Sequence, residues 1–272
     1  KLINKVVLND YTIIILGVDI MSSVIVLPID FQMAEMGESS FTVYPVILKD
    51  DHELILVDCG YPNFMAKMEG AMNKLSMSLA QLTKIIITHH DHDHMGALRE
   101  IKEQYPSVEI LCSKEEAPYI TGKSKSLRLL QAEAIQDSLP ESEKEGGKAF
   151  RDFIASIKPV DNVTEINCGD TFSWCGGVDV VDTKGHMPGH ISLYVRNEKT
   201  LIAGDALVVE NGKLCMAMPQ FLLNVQDAQD SVRRLMRYDI EKIICYHGGI
   251  YATDVRKSLI EVIDGFSNSR GE

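Results

Sequence analysis

Ile85-Ile86-Ile87-Thr88-His89-His90-Asp91-His92-Asp93-His94-Met95-Gly96 is the stretch that organises the chain. Four of the eight histidines fall within these six positions from 89 to 94, interleaved with two aspartates. The run Ile85–Thr88 is β-branched throughout and reads as a short buried strand, and Met95-Gly96-Ala97-Leu98 reads as the start of a helix. The His/Asp cluster is therefore the link at a strand's C-terminal end. In near-extended backbone, positions i, i+2 and i+4 point the same way, so His89, Asp91 and Asp93 share one side. A turn brings His94 round to join them. Imidazole and carboxylate together are ligands for zinc, iron or manganese. The bland alternative is a solvated polar loop, but clusters this dense are seldom accidental. A helical reading would pair His90 with His94, four apart, as in a zincin helix. That motif needs Glu after the first His, and Asp91 stands there after a strand pattern, so the helical reading is rejected.

The chain has 272 residues, 45% of them hydrophobic and 24% charged, which suits a globular protein with a substantial core. Its formal charge is −12, and no basic tract stands out, so no nucleic-acid partner is expected. Six cysteines are scattered without a C-x-x-C pair and read as reduced structural thiols of a cytoplasmic protein. Residues 12–29 are strongly apolar, but Gly17, Asp19, Ser22 and Ser23 interrupt them and the flanks lack a signal-peptide layout. Two buried strands joined near Asp19–Ser23 account for them better than a membrane span. Lys1 in place of Met leaves room for a missing native start.

Outward from the cluster, residues 41–48 and 53–57 read as a strand pair turning at Lys49–His52, and Pro62 opens a helix to about Leu75. A helix to Gln104 and a strand Val108–Cys112 follow the cluster. Residues 113–158 break the rhythm, with helical stretches around 125–138 and 147–157 and a mobile-looking link at Pro140–Gly147. They read as a helical insertion within a single domain spanning residues 1–272. Strands return at Val163–Ile166, Val178–Asp182, Ile191–Arg196 and Leu201–Ala203. A helix from Asp227, a strand Ile243–Cys245 and a last helix from about Asp254 complete the chain. Two packed sheets with helices outside would bury both sheet faces.

Three further ligand-type residues share one placement, the loop after a strand. His186 lies in Thr183-Lys184-Gly185-His186-Met187-Pro188-Gly189-His190, Asp205 follows Leu201-Ile202-Ala203-Gly204, and His247 follows Ile243-Ile244-Cys245-Tyr246 and precedes two glycines. Singly, each is an ordinary loop residue. Together they can gather at one edge of a packed sheet pair, where sites are commonly built.

From Asp58 in "VDCG", through "THHDHDHMG", "GHMPGH" and "AGD", to "HGG", the set resembles the metallo-β-lactamase superfamily from about residue 41 onward. The family signature H-x-H-x-D-H is anchored by its Asp-His pair, here Asp93-His94. That register puts His89 first and Asp91, in place of a histidine, second, with His90 and His92 at variable positions. The resemblance implies a four-layer αββα sandwich holding two divalent metal ions, zinc by family habit. One would be held by His89, Asp91 and His186, the other by Asp93, His94 and His247, with Asp205 bridging. Asp91 is the departure: a hard anionic ligand there makes iron or manganese credible beside zinc.

What the resemblance implies for activity is a metal-dependent hydrolase, in which a hydroxide held by two metals attacks a small ester, thioester, lactone or amide. Asp93 would orient the nucleophile, with His190 and Asp58 supporting the ligands. Quorum-quenching lactonases of this fold carry Tyr where Val208 stands. Glyoxalase II enzymes carry a basic and aromatic patch of which only Lys213 is present. The alternative is an iron-dependent oxidoreductase of the same fold, flavodiiron-like or persulfide-dioxygenase-like. The expected partner is a small-molecule substrate admitted under the 113–158 insertion, with no membrane partner. Oligomeric state is open, a homodimer included.

Overall fold

Strands that are apolar on both faces need cover on both, and this requirement sets the layering of the chain. The computed structural model describes residues 22–32 and 40–268, together with two short strands at 5–8 and 11–14. In order, the first half runs β1 (Lys5–Leu8), β2 (Tyr11–Ile14), β3 (Ser22–Val26), β4 (Ile29–Gln32), β5 (Ser40–Val43), β6 (Val46–Asp50), β7 (Leu54–Val57), α1 (Met65–Asn73), β8 (Lys84–Ile87), α2 (Leu98–Gln104) and β9 (Glu109–Ser113). Three helices come next, α3 (Ala117–Ile120), α4 (Leu127–Gln136) and α5 (Lys144–Ala155). The second half runs β10 (Thr164–Ile166), β11 (Thr171–Phe172), β12 (Val178–Asp182), β13 (Ile191–Val195), β14 (Thr200–Gly204), β15 (Val208–Glu210), β16 (Lys213–Cys215), α6 (Val225–Leu235), β17 (Lys242–Cys245), β18 (Gly249–Tyr251) and α7 (Val255–Asn268).

Two six-stranded sheets form, ordered β10-β9-β8-β7-β6-β3 and β11-β12-β13-β14-β17-β18. Alternation along each strand divides its residues between two covers. Between the sheets, Val46, Leu48, Ile55, Val57, Ile86 and Leu111 meet Val178, Val180, Ile191, Leu193, Ile202 and Ile244. On the outer face of the first sheet, Ile47, Leu56, Ile85 and Ile87 pack with Met68 and Met72 of α1 and Leu98 and Ile101 of α2. On the outer face of the second, Val181, Leu201, Ala203 and Ile243 pack with Val232 and Leu235 of α6 and Val255 and Leu259 of α7. Each such Val, Leu, Ile or Met side chain contributes about 1.5–3 kcal/mol by leaving water. The result is the αββα sandwich expected from the resemblance.

Strand direction then places the site. β7 and β8 are parallel. β12, β14 and β17 also share one direction, since β13 is antiparallel to both β12 and β14 while β14 and β17 are parallel. The C-terminal ends of all five strands therefore gather at one edge. There the sheets are tied together by Ile191 N–H donating to the Thr88 carbonyl (3.2 Å) and Tyr44 N–H to that of Tyr246 (3.0 Å).

Several local expectations are corrected. The stretch 41–48 is two strands, divided at Tyr44-Pro45, with β5 pairing with β4 and β6 with β3 and β7. Proline has no N–H to continue a ladder. Pro62 does not start α1, because Asn63 takes a positive φ of 66° and the helix begins only at Met65. The link at Pro140–Gly147 is shorter than expected, since α5 starts at Lys144 and takes in Gly146 and Gly147. Within 12–29, β2 pairs with β1 and β3 with β6. Of the joint expected near Asp19–Ser23, residues 19–21 lie outside the described residues, and Ser22 and Ser23 belong to β3.

Candidate metal centre

Thr88 follows β8 directly, with its hydroxyl at the centre of a hydrogen-bond chain that orients two imidazoles. Asp58, at the end of β7, accepts from Thr88 N–H and from the Thr88 hydroxyl, both at 2.8 Å. The hydroxyl proton is thereby committed, so the Thr88 oxygen is an acceptor for Nδ1–H of His89 at 3.0 Å. Asp58 also accepts from Nδ1–H of His94 at 2.8 Å. Both rings direct Nε2 inward, and with Nδ1–H held by these acceptors it is Nε2 that would give up its proton to a metal. His190 plays a similar part: its Nδ1 meets Thr183 Oγ1 (2.9 Å) and its Nε2 accepts Asp205 N–H (3.0 Å). Gly204 permits this approach, because it has a φ of +55° and an added Cβ would lie 2.7 Å from His190 Nε2.

The structure brings all seven expected ligand residues to this edge, six of them in two groups of three, with Asp91 alongside the first. His89, His186 and Asp205 have donor atoms close enough to share one ion, and so do Asp93, His94 and His247. Asp205 lies between the groups, within 3.3 Å of His94, 3.7 Å of His186 and 3.5 Å of His247. Asp91 Oδ2 is 2.9 Å from His186 Nε2 and 3.6 Å from His89 Nε2. All are buried except His247, whose side chain is 37% exposed. His90 and His92 are not in either group. His90 Nδ1–H donates to Glu116 and its Nε2 accepts Leu127 N–H (3.2 Å), while the His92 ring lies edge-on to Tyr61, Phe150 and Phe153.

Two observations show that the residues suit metal ions. His89 Nε2, His94 Nε2 and Asp205 Oδ1 are buried without a well-formed hydrogen bond, the last two facing each other at 3.3 Å, although buried polar atoms are nearly always paired. In addition, Asp58, Asp91, Asp93 and Asp205 are all buried together, a concentration of negative charge that demands cations. The titration behaviour agrees. Burial opposes charge on His94, yet Asp205, Asp58 and Asp93 outweigh it and hold the imidazole well above its usual range. Burial likewise opposes charge on Asp205, but His247 and His94 hold its carboxyl well below the usual range.

One residue at the centre had no signal in the sequence. Arg128, from α4, pairs with Asp91 through Nε–Oδ1 (3.2 Å) and Nη2–Oδ2 (2.7 Å). Its Nη2 also lies 3.3 Å from His186 Nε2 and 3.2 Å from the Phe221 carbonyl. A lone arginine in a polar helix, some 37 residues from its partner, leaves no periodic or spacing trace.

A sandwich of this kind with a His/Asp edge defines a class, the metal-dependent enzymes of the αββα fold. The profile of the metallo-beta-lactamase superfamily matches residues 41–247, and the chain belongs to that superfamily. The probable metallo-hydrolase YflN of Bacillus subtilis is 27% identical over 240 residues, covering 80% of this chain and 84% of that one. A hydroxyacylglutathione hydrolase of Synechococcus is 24% identical, over 67% of this chain and 56% of its own length. Among solved structures, the family protein TTHA1429 from Thermus thermophilus superposes with a TM-score of 0.70 at 21% identity, covering 90% of this chain and 79% of that one. Members of the superfamily use divalent metals, and the His/Asp groups here can bind them.

Proposed function

We propose that this chain is a hydrolase of small esters, thioesters, lactones or amides that works with two divalent metal ions. The observation carrying the reading is the pair of adjoining donor groups with Asp205 between them and unpartnered Nε2 atoms aimed inward. His89, Asp91 and His186 would hold one ion, Asp93, His94 and His247 the other, and Asp205 would serve both. Bound there, the ions would lower the pKa of a water from about 16 to about 7 and polarise the substrate carbonyl. The protein does the rest. Asp58 and Thr88 keep both imidazoles in the binding tautomer. Asp93, held by Tyr246 O–H donating to its carbonyl (2.5 Å), orients the attacking water as a proton acceptor. Tyr61, beside Asp93, Asp205 and Asp91, stays a protonated donor, because burial first and those carboxylates next push its phenol up.

The names of the relatives support hydrolysis: one is a probable metallo-hydrolase and another a hydroxyacylglutathione hydrolase, a thioester-cleaving name. Residues 113–158 act as an insertion over the site that limits access to small substrates. The formal charge of −12 favours such a substrate over nucleic acid. Asp91 supports a second reading, an iron-dependent oxidoreductase. Elemental analysis with a panel of thioester, lactone and ester substrates tests the assignment, the expectation being near two metal ions per chain and hydrolysis. One ion or fewer at full activity removes the two-metal mechanism. Iron with oxygen consumption and no hydrolysis favours the second reading.

A further inference from the structure

The His/Asp stretch holds a helix as well as a set of metal ligands, and the two are joined at adjacent residues. Glu116 accepts from His90 N–H (2.9 Å) and from the His90 ring, and its other oxygen accepts Gly189 N–H at 2.9 Å. The far nitrogen of the same ring accepts the first N–H of α4, from Leu127, and the ring stacks on Tyr119 with centroids 4.4 Å apart. The Ser126 hydroxyl caps the next turn by accepting Leu129 N–H. The residue after Leu127 is Arg128, whose buried guanidinium is thus delivered to Asp91 by a helix anchored on that aspartate's own neighbour. Gln131 accepts from Nη1 (2.7 Å) and so braces the guanidinium from one turn on.

We infer that Arg128 is a tethered cation that competes with the first metal ion and makes the two centres unequal in affinity. One nitrogen, Nη2, is within hydrogen-bond distance of both Asp91 Oδ2 and His186 Nε2, two of the atoms that would bind the first ion. Arg128 already pairs with the Asp91 charge, and an entering dication meets a fixed positive charge beside both atoms. Among the described residues, the ion pairs of Asp93, His94 and His247 are with histidines and aspartates, with no lysine or arginine in contact. Asp91 and Arg128 belong together on this account: the acid that replaces an imidazole in the motif is matched by a base from the helical segment. Arg128 is a positioning residue here, acting through Asp91 and His186. The second centre therefore fills first and tightly, and the first is weak and exchangeable.

The inference rests on the two-metal reading of the same site, and one set of experiments separates them. Zinc affinity is measured on the metal-free full chain by competition with a chelating dye, for the wild type, Arg128→Met and Arg128→Lys. Arg128→Met is expected to tighten the weaker site at least tenfold and leave the tighter one unchanged, while Arg128→Lys keeps the gap. Equal tightening by both variants, or none in a folded Arg128→Met, overturns the role of the charge with two ions still bound. One ion in the wild type and two in Arg128→Met supports the inference and overturns the two-metal function. One ion in both overturns both. Should Arg128→Met fail to fold, the Nε–H resonance of Arg128 in the wild type decides: it should shift with the second zinc equivalent, and a shift complete at the first equivalent overturns the proposal.

Discussion

Replacing Asp58 by Asn removes one charge and keeps the side chain's shape. Asn also tolerates the positive φ of 60° at this position, so the backbone has no reason to move. The carboxylate takes three hydrogen bonds, from Thr88 N–H, the Thr88 hydroxyl and His94 Nδ1, each at 2.8 Å. An amide has only one oxygen. If that oxygen stays on Thr88 N–H, the NH2 group faces His94 Nδ1, which must then surrender its proton to Nε2. The lone pair that would bind a metal is lost. If the amide is flipped, its NH2 opposes the Thr88 N–H in a fully buried place, at a cost of about 1–3 kcal/mol. Either route weakens metal binding by about 10–100-fold, or about 1.4–2.7 kcal/mol, in the range for groups that orient metal-bound histidines. Zinc competition reads the affinity, and nitrogen shifts of the His94 ring read the tautomer. Unchanged affinity at both centres, with the proton still on Nδ1, would refute the reasoning.

His247→Ala is expected to lose one metal ion and most activity while keeping its fold, because the residue ends a strand and is 37% exposed; unfolding by circular dichroism would instead make it structural. Asp91→His replaces a hard anionic oxygen by imidazole, so zinc should gain on manganese in mixed-metal loading, and an unchanged preference would remove Asp91 from the ligand set. Gly204→Ala places a Cβ 2.7 Å from His190 Nε2 at a φ of +55°, which should destabilise the chain by about 1–3 kcal/mol in urea; a neutral result would show that His190 can move away freely.

How much of this could be read from residues alone depended on the range of the interactions involved. Strands such as Ile85–Ile87 and Ile243-Ile244 announce themselves, since apolar residues on both faces have only a covered sheet to go to. The family anchor Asp93-His94 sets a register in which His90 and His92 are spare, and the structure turns both rings toward helices. Asn211-Gly212 is a two-residue hairpin signal that strand patterning alone passes over; both residues have positive φ and join β15 to β16. Arg128 was out of reach for a different reason. Its partner is far along the chain, and nothing local in Ser126-Leu127-Arg128 distinguishes a buried guanidinium from a solvated one. The division of 41–48 at Pro45 shows the converse, a short-range rule outweighed by the apolar run around it.

The shared direction of β7, β8, β12, β14 and β17 also gives the molecule a second edge with no part in the chemistry. At that edge the chain reverses through Asp51 and His52, where Asp50 accepts from His52 N–H and Glu53 N–H at 2.8 Å, and through Arg196–Lys199, where Lys199 pairs with Asp239 and Glu241. Asp51 and Asn197 are exposed there. A dye or surface tether attached at either one hangs from the back of the sandwich, so the working edge stays open to solution and a reporter on the molecule need not become a competitor for its ligands.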